Sequence, residues 1–346
     1  MNPNKNHPTG LLLVQASNTG RNYFFPKKSN GGYERRLTYE TMSDPLKRME
    51  YAVRGQVVIL ADKISQELQS SASSSNESES DKYPFDHIVY TNIGNPQSVG
   101  QKPLTWPRQV MALVDLPAEV GVDHSDVQRL FPADVVERAR EIKGQIVGGS
   151  GAYSHSQGVL SFRKDICEFL RERDGVGADP DNIFMTNGAS AAIDMMFTSM
   201  ISDENSGIMI PIPQYPIYTA LIELKQGVGV GYNLNEEEGW SLSIENLEKT
   251  LEDAKAKGIE VKSLVIINPG NPTGSVLTKK MVQDICLFCS KHRLVLMADE
   301  VYQENVYSDN AEFYSCKRAA HELGLLKVCV GHVKFIFCMR FCRCFF

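Results

Sequence analysis

The 346-residue chain has no apolar run approaching the length of a membrane-spanning helix, so no such helix is expected. It also lacks a G-x-x-x-x-G-K-[ST] segment, which removes a phosphate-loop nucleotidase. GVGVGYN, with Gly227, Gly229 and Gly231, has the wrong spacing for a dinucleotide fingerprint and no helix signal behind it. Strong charge of one sign is missing too. A net charge of −6 with 23% charged residues argues against nucleic acid or an anionic membrane as the main partner. The eight cysteines show no zinc-type spacing with histidine, and four of them (Cys329, Cys338, Cys342 and Cys344) crowd into the last stretch. Free thiols in a reducing compartment are the expectation.

What is present centres on Leu264 to Tyr307. Leu264–Ile267 and Leu294–Met297 are unbroken apolar runs, as parallel strands buried on both faces require. Between them Thr278 can cap a helix with Met281, Val282, Ile285 and Cys289 on one side. Such a strand–helix–strand unit brings both strand carboxyl ends to one sheet edge, where ligands bind. Asn268, Asn271, Asp299 and Tyr302 all follow those ends. A carboxylate there can hold a metal or a hydroxyl, or keep a heteroaromatic nitrogen protonated. The plainer alternative is that Asp299 and Glu300 cap the next helix.

A second informative stretch, IFMTNGASAAIDMMFTSMI, predicts a short strand at Ile183–Met185, a turn at Asn187–Gly188 and a helix starting near Ala189. Backbone N–H groups at a helix start make an anion site without any cation, Gly188 permits close approach, and the Ser190 hydroxyl adds a donor. A plain strand–helix joint with a capping serine has the same pattern. PIPQYPIYTALIEL follows the strand at Gly207–Ile210, and its prolines 211, 213 and 216 stiffen the approach to Tyr215. A further strand, Gly227–Tyr232, precedes a helix capped by Ser243. Helices are expected around Pro132–Ile142 and Leu160–Arg173, and a strand ending in a turn at His87–Gln101. The alternation of strand and helix gives an α/β fold.

NPGNPTG followed by ADEVYQENVY resembles the fold-type-I, pyridoxal-phosphate-dependent aminotransferases, and within them the alanine aminotransferase branch. The resemblance runs from about Leu37 to Leu326. It implies a large α/β domain with a mainly parallel sheet over residues 131–327, and an N-terminal arm with the first part of a smaller domain over 37–130. It places the cofactor phosphate on Gly188, Ala189 and Ser190, the pyridine ring against Tyr215, its phenolic oxygen beside Asn271 and Tyr302, and its nitrogen on Asp299. It further implies that Tyr153, in GAYSHSQG, reaches the partner subunit's cofactor phosphate in a homodimer, and that the Gly94 backbone lies beside the substrate carboxylate. From residues alone, Tyr153 is equally a loop aromatic and Gly94 a turn glycine. The implied reaction moves an amino group between L-alanine and 2-oxoglutarate. Glutamate:glyoxylate exchange is the near alternative, with a carbon–heteroatom lyase further off.

The flanks read differently. Residues 1–36 form an extension, acid-free as far as Tyr33, which suits either a transit peptide or a disordered segment, so the compartment stays open between cytoplasm and mitochondrion. Leu37 onward has the spacing of one long amphipathic helix through Met49, Ala52, Val53, Val57, Ile59 and Leu60. Ser70–Asp81 is a polar, acidic, solvated loop. Residues 328–346 carry no family motif. In the family a later S-x-S-K supplies the Schiff-base lysine. Lys334, at a comparable distance past Asp299, sits in GHVKFIF without the serines. The tail therefore reads as unrelated sequence, from a shifted frame or retained intron, or as a membrane-associating end. The expectation is a chain impaired in catalysis, or a non-catalytic subunit that pairs with a complete one.

Overall fold

The structure, a computed structural model, describes residues 37–51, 55–73, 82–94, 96–146 and 148–325. The N-terminal extension, the tail from residue 326 and most of the Ser-rich segment lie outside the described residues.

In chain order the α-helices and strands are α1 (Asp44–Arg48), α2 (Gln56–Ser73), α3 (Thr105–Asp115), α4 (Val127–Leu130), α5 (Ala133–Gln145), α6 (Leu160–Asp174), α7 (Gly188–Met200), β1 (Ser206–Ile212), α8 (Ile217–Leu224), β2 (Val228–Asn233), α9 (Ile244–Ala256), β3 (Glu260–Ile267), α10 (Lys279–His292), β4 (Val295–Asp299) and α11 (Cys316–Glu322). The four strands form one sheet in the order β2-β1-β3-β4, parallel throughout. Alternate side chains of each strand go to opposite faces. Met209 of β1 with Leu264 and Ile266 of β3 pack under α9, α10 and α11. Ile208 and Ile210 of β1 with Val265 of β3 and Met297 of β4 pack under α7 and α8. Both faces are covered, which is why these strands read as apolar runs rather than alternations. A separate cluster joins α3 to α5 through Val110, Leu113, Val135, Val136 and Ala139.

Both predicted caps are in place. The Thr278 hydroxyl accepts from the Met281 amide at 3.2 Å and Ser243 accepts from Asn246 at 3.3 Å. Each satisfies one otherwise orphaned N–H of its first turn. Thr278→Ala should cost about 1 kcal/mol in urea unfolding, with an unchanged denaturant slope. A loss within error of zero would remove the cap from the account of α10.

Three expectations need correction. The long N-terminal helix is broken: α1 ends at Arg48, residues 49–51 are not helical, and α2 starts at Gln56. The unbroken apolar spacing overlooked Gly55, a weak helix former just before α2. α2 instead continues through Ser73, so the solvated loop begins later than Ser70. Finally, His87–Gln101 and Ile183–Met185 form no strand among the described residues. Pro96–Val99 is a 3₁₀ turn, and Ile183–Met185 runs extended beside the Gln157 loop, with the Met185 amide on the Gln157 carbonyl at 2.9 Å. A β-type sequence without a neighbouring strand has nothing to complete a ladder.

Cys286 and Cys289, a C-x-x-C pair inside α10, are buried in the first core and form no disulfide. No group of three His, Cys, Asp or Glu suited to a metal occurs among the described residues, nor a helix long and apolar enough to cross a membrane.

Candidate active site

β3 and β4 pair in register with Ile267 opposite Asp299, and the Asn268 amide extends the ladder to the Asp299 carbonyl at 2.9 Å. The carboxyl ends of the two strands therefore coincide. From β3 the chain turns through NPGNPTG. Asn268 is fully buried and its Oδ1 accepts from the Leu277 amide at 3.0 Å, so it braces the loop rather than facing the site. Its Nδ2 is buried without a partner. Asn271, four residues beyond the last strand pair at Ile267, swings to the β4 side and donates through Nδ2 to the Tyr302 hydroxyl at 3.2 Å. Accepting that bond leaves the Tyr302 proton available for another acceptor.

Asp299 closes β4. Its Oδ2 accepts from the Tyr218 hydroxyl at 2.7 Å and its Oδ1 from the Val301 amide at 3.2 Å. Burial pushes this carboxyl above the ordinary carboxylate range, and the Tyr218 and Val301 donors pull it part of the way back. No cation contributes to its environment among the described residues. Burial and the adjoining carboxylate together hold the Tyr218 phenol well above its usual value, so it stays a donor. Beside this pair lies a shallow open hollow lined by Ala189, Ile193, Tyr218, Met297, Ala298 and Asp299.

Ala189 belongs to the first turn of α7. Gly188 starts that helix at φ 87°, in the left-handed region that favours glycine, and Asn187 supplies no side-chain cap. The Gly188 amide turns to the Thr186 carbonyl at 2.9 Å, and the amides that follow in this 13-residue helix have no side-chain cap from Asn187, with the exposed Ser190 hydroxyl beside them. That is an anion site in waiting. Tyr215 lies just before α8, its ring packed edge-on to Tyr51 with centroids 6.1 Å apart and the two hydroxyls in contact. α1 comes close to α8 through the Arg48–Glu223 ion pair at 2.6 Å, so the N-terminal segment is docked at this rim.

The structure brings Asp299, Asn271, Tyr302, Ala189, Gly188 and Tyr215 to one edge of the sheet, on the ends and starts of β3, β4, α7 and α8. Tyr153 and Gly94 are exposed on their loops, and neither makes a hydrogen bond among the described residues. Glu300 caps no helix directly after it and instead reaches the first amide of α11. It is buried, accepts from the Cys316 amide at 2.8 Å and pairs with Arg173 at 3.4 Å. Tyr218 is the residue that sequence reasoning passed over. Its place in PIYTALIEL, in step with Leu221 and Ile222, reads as core, and only its hydroxyl sets it apart.

A pyridoxal phosphate suits this arrangement. A half-buried carboxylate with no cation beside it among the described residues asks for a cationic N–H, the α7 terminus without a side-chain cap for a phosphate, and the Asn271–Tyr302 pair for an anionic oxygen.

Comparison with known proteins agrees. The family described as aminotransferase class I and II matches residues 123–330. The chain is 47% identical over 289 residues to "Alanine aminotransferase 1, mitochondrial" of Arabidopsis thaliana, covering 83% of this chain and 51% of that one. It is 41% identical over 288 residues to "Glutamate--glyoxylate aminotransferase 1" of the same plant, covering 83% and 56%. The chain thus spans about half the length of these relatives. Among solved structures, an aminotransferase from Escherichia coli superposes with a TM-score of 0.58 at 24% identity, covering 81% of this chain and 55% of that one, a likeness of fold.

Proposed function

The chain belongs to the class I and II aminotransferase family, and we propose that it serves the exchange of an amino group between L-alanine and 2-oxoglutarate, giving pyruvate and L-glutamate. The observation that carries this reading is the half-buried Asp299 carboxylate, with neutral donors only among the described residues, at a strand end beside the start of α7, which lacks a side-chain cap. Bound there, pyridoxal phosphate supplies an electron sink for the pair left on the substrate α-carbon when its proton departs. Asp299 would keep a proton on the ring nitrogen, where it strengthens that sink. Asn271 and Tyr302 would donate to the phenolic oxygen, and the Tyr215 ring would offer its face to the flat cofactor. The amides of Gly188 and Ala189 with the Ser190 hydroxyl would take the phosphate. Gly94 beside the substrate carboxylate, and Tyr153 crossing to a second copy of the chain in a homodimer, complete the proposal.

Alanine is preferred to glyoxylate chemistry because identity to the alanine aminotransferase is the higher of the two. The mitochondrial relative favours that compartment over the cytoplasm. The division into an arm with a small-domain part over 37–130 and a large domain over 131–327 follows the same reading. One observation favours a second role. Among the described residues no lysine lines the hollow, so the amine that must hold the cofactor and move the α-proton comes from outside them or from another chain. On that reading this chain is a non-catalytic subunit.

An absorbance titration of the 346-residue chain with pyridoxal phosphate, followed by borohydride and peptide mapping, separates the outcomes. Saturable binding fixed to a lysine by reduction, with alanine:2-oxoglutarate turnover, supports the enzyme. Saturable binding without a fixed adduct or turnover supports the non-catalytic subunit. Absence of saturable binding overturns the site.

A further inference from the structure

Tyr218 is 1% exposed and lies in the second core, where its ring packs at 6.2 Å and 57° against Phe197. It sits on the first turn of α8, three residues after Tyr215, so the helix start that carries one aromatic to the rim carries the other beneath it. Its hydroxyl has one partner, Asp299 Oδ2 at 2.7 Å. Apolar packing would be served equally well by phenylalanine, and a buried hydroxyl is costly unless it is bonded. The bond it makes goes to a carboxylate at the sheet edge that no cation among the described residues holds.

Every other group facing Asp299 leaves its orientation free. α7 offers Ala189 and Ile193, β4 offers Met297 and Ala298, and the chain beyond offers the Val301 amide to Oδ1 alone. Tyr215 and Tyr232 bear on the Tyr218 phenol, and neither is among the groups that shift Asp299. A single amide on one oxygen lets the carboxylate rotate about that bond. A second donor on the other oxygen, from a different element, fixes its plane.

We infer that Tyr218 is the positioning residue of this site: its hydroxyl holds the Asp299 carboxylate in one plane, beside the hollow. This deepens the proposed function and rests on it for the ligand, though the contact itself does not need a ligand. The chemistry is that of a neutral donor preferred over a cation. An arginine or lysine here would neutralise Asp299 and compete with the ring nitrogen for it, whereas a phenol leaves the charge in place.

The test is carboxyl ¹³C NMR of the cofactor-free full chain labelled at aspartate, with the Asp299 signal assigned by its loss in Asp299→Asn. Tyr218→Phe should raise the titration midpoint of that signal by about one pH unit, since the ionised form loses a donor. In parallel, the acid limb of pyridoxal phosphate binding should move up in pH by the same amount, with about tenfold weaker affinity on that limb. In an Asp299→Asn background Tyr218→Phe should have no further effect on affinity. A midpoint that stays put in Tyr218→Phe, with the fold intact by circular dichroism, overturns the inference. Additive losses in the double variant also overturn it. If the midpoint moves while the parent chain does not bind pyridoxal phosphate, the positioning contact stands and the proposed function fails.

Discussion

Arg173→Met is expected to remove about 3–5 kcal/mol from the unfolding free energy, the largest single loss of stability foreseen in this chain. The guanidinium lies at the end of α6 and is the hub of a buried ionic cluster. Its Nε and Nη2 donate to the two oxygens of Asp174, each at 2.8 Å, and its Nη1 donates to Gln303 Oε1 at 2.6 Å and pairs with Glu300 at 3.4 Å. Phe169 and Phe313 flank it, at 5.8 and 5.5 Å from the ring centroids. Asp174 and Glu300 are both buried, with Ser315 and the Cys316 amide as their neutral donors. Lys317 reaches Asp174 only at 3.9 Å, and burial lowers its own pKa. Methionine keeps the length of the side chain but leaves two buried carboxylates with little positive charge near them.

The loss should depend on pH with a definite sign. Burial already raises the Glu300 pKa, and Arg173 is the main group opposing that rise. A carboxyl whose folded pKa lies above its unfolded value contributes stability at low pH that disappears as pH climbs through the folded value. Without Arg173 the Glu300 folded value climbs further, so the destabilised window extends upward. The deficit should therefore be widest at neutral pH and narrow as the solution is acidified through the carboxylate range. Urea unfolding at several pH values measures this, and a deficit below about 1 kcal/mol, or one independent of pH, would sink the account. The clamp matters to the site because Glu300 and Gln303 follow Asp299 directly and bracket Tyr302.

Asp299→Asn should act in two directions. Pyridoxal phosphate affinity should fall roughly 10- to 100-fold, the worth of exchanging a charged hydrogen bond for a neutral one in a buried place. The cofactor-free chain should become more stable at neutral pH. Asp299 is raised by burial, so its ionisation costs stability as pH climbs from the unfolded carboxyl range through the folded value. Asparagine carries no such cost: its one oxygen can keep the Val301 amide while its NH2 donates to the Tyr218 hydroxyl oxygen. The gain should vanish in acid, where the native carboxyl is protonated in both states. Affinity by absorbance titration and thermal unfolding at pH 4 and 7 read out the two halves. Unchanged affinity would falsify the role given to Asp299, and a loss of stability at neutral pH would contradict its burial cost. A trade of stability for function is common where a buried charge serves a ligand.

The two caps, the apolar runs of β1, β3 and β4, and the glycine at the start of α7 are local matters, decided within a few residues by propensity and hydrogen-bond geometry. The sequence by itself therefore determined the α/β alternation, the shared carboxyl edge of β3 and β4, and the grouping of Asn271, Asp299 and Tyr302 on it. It could not decide what each polar group bonds to. Asn268 and Asn271 are alike in the sequence, each followed by proline, yet one is buried as a loop brace and the other faces Tyr302. Asp299 and Glu300 are adjacent acids, and the strand's two-residue period sends them to different places, one to Tyr218 and the hollow, the other to Arg173. Those partners come from α8 and α6, 81 and 127 residues away along the chain. Only tertiary packing, which buries a carboxylate and then chooses the donor that meets it, settled that Tyr218 belongs to the site and that Glu300 belongs to the frame beneath it.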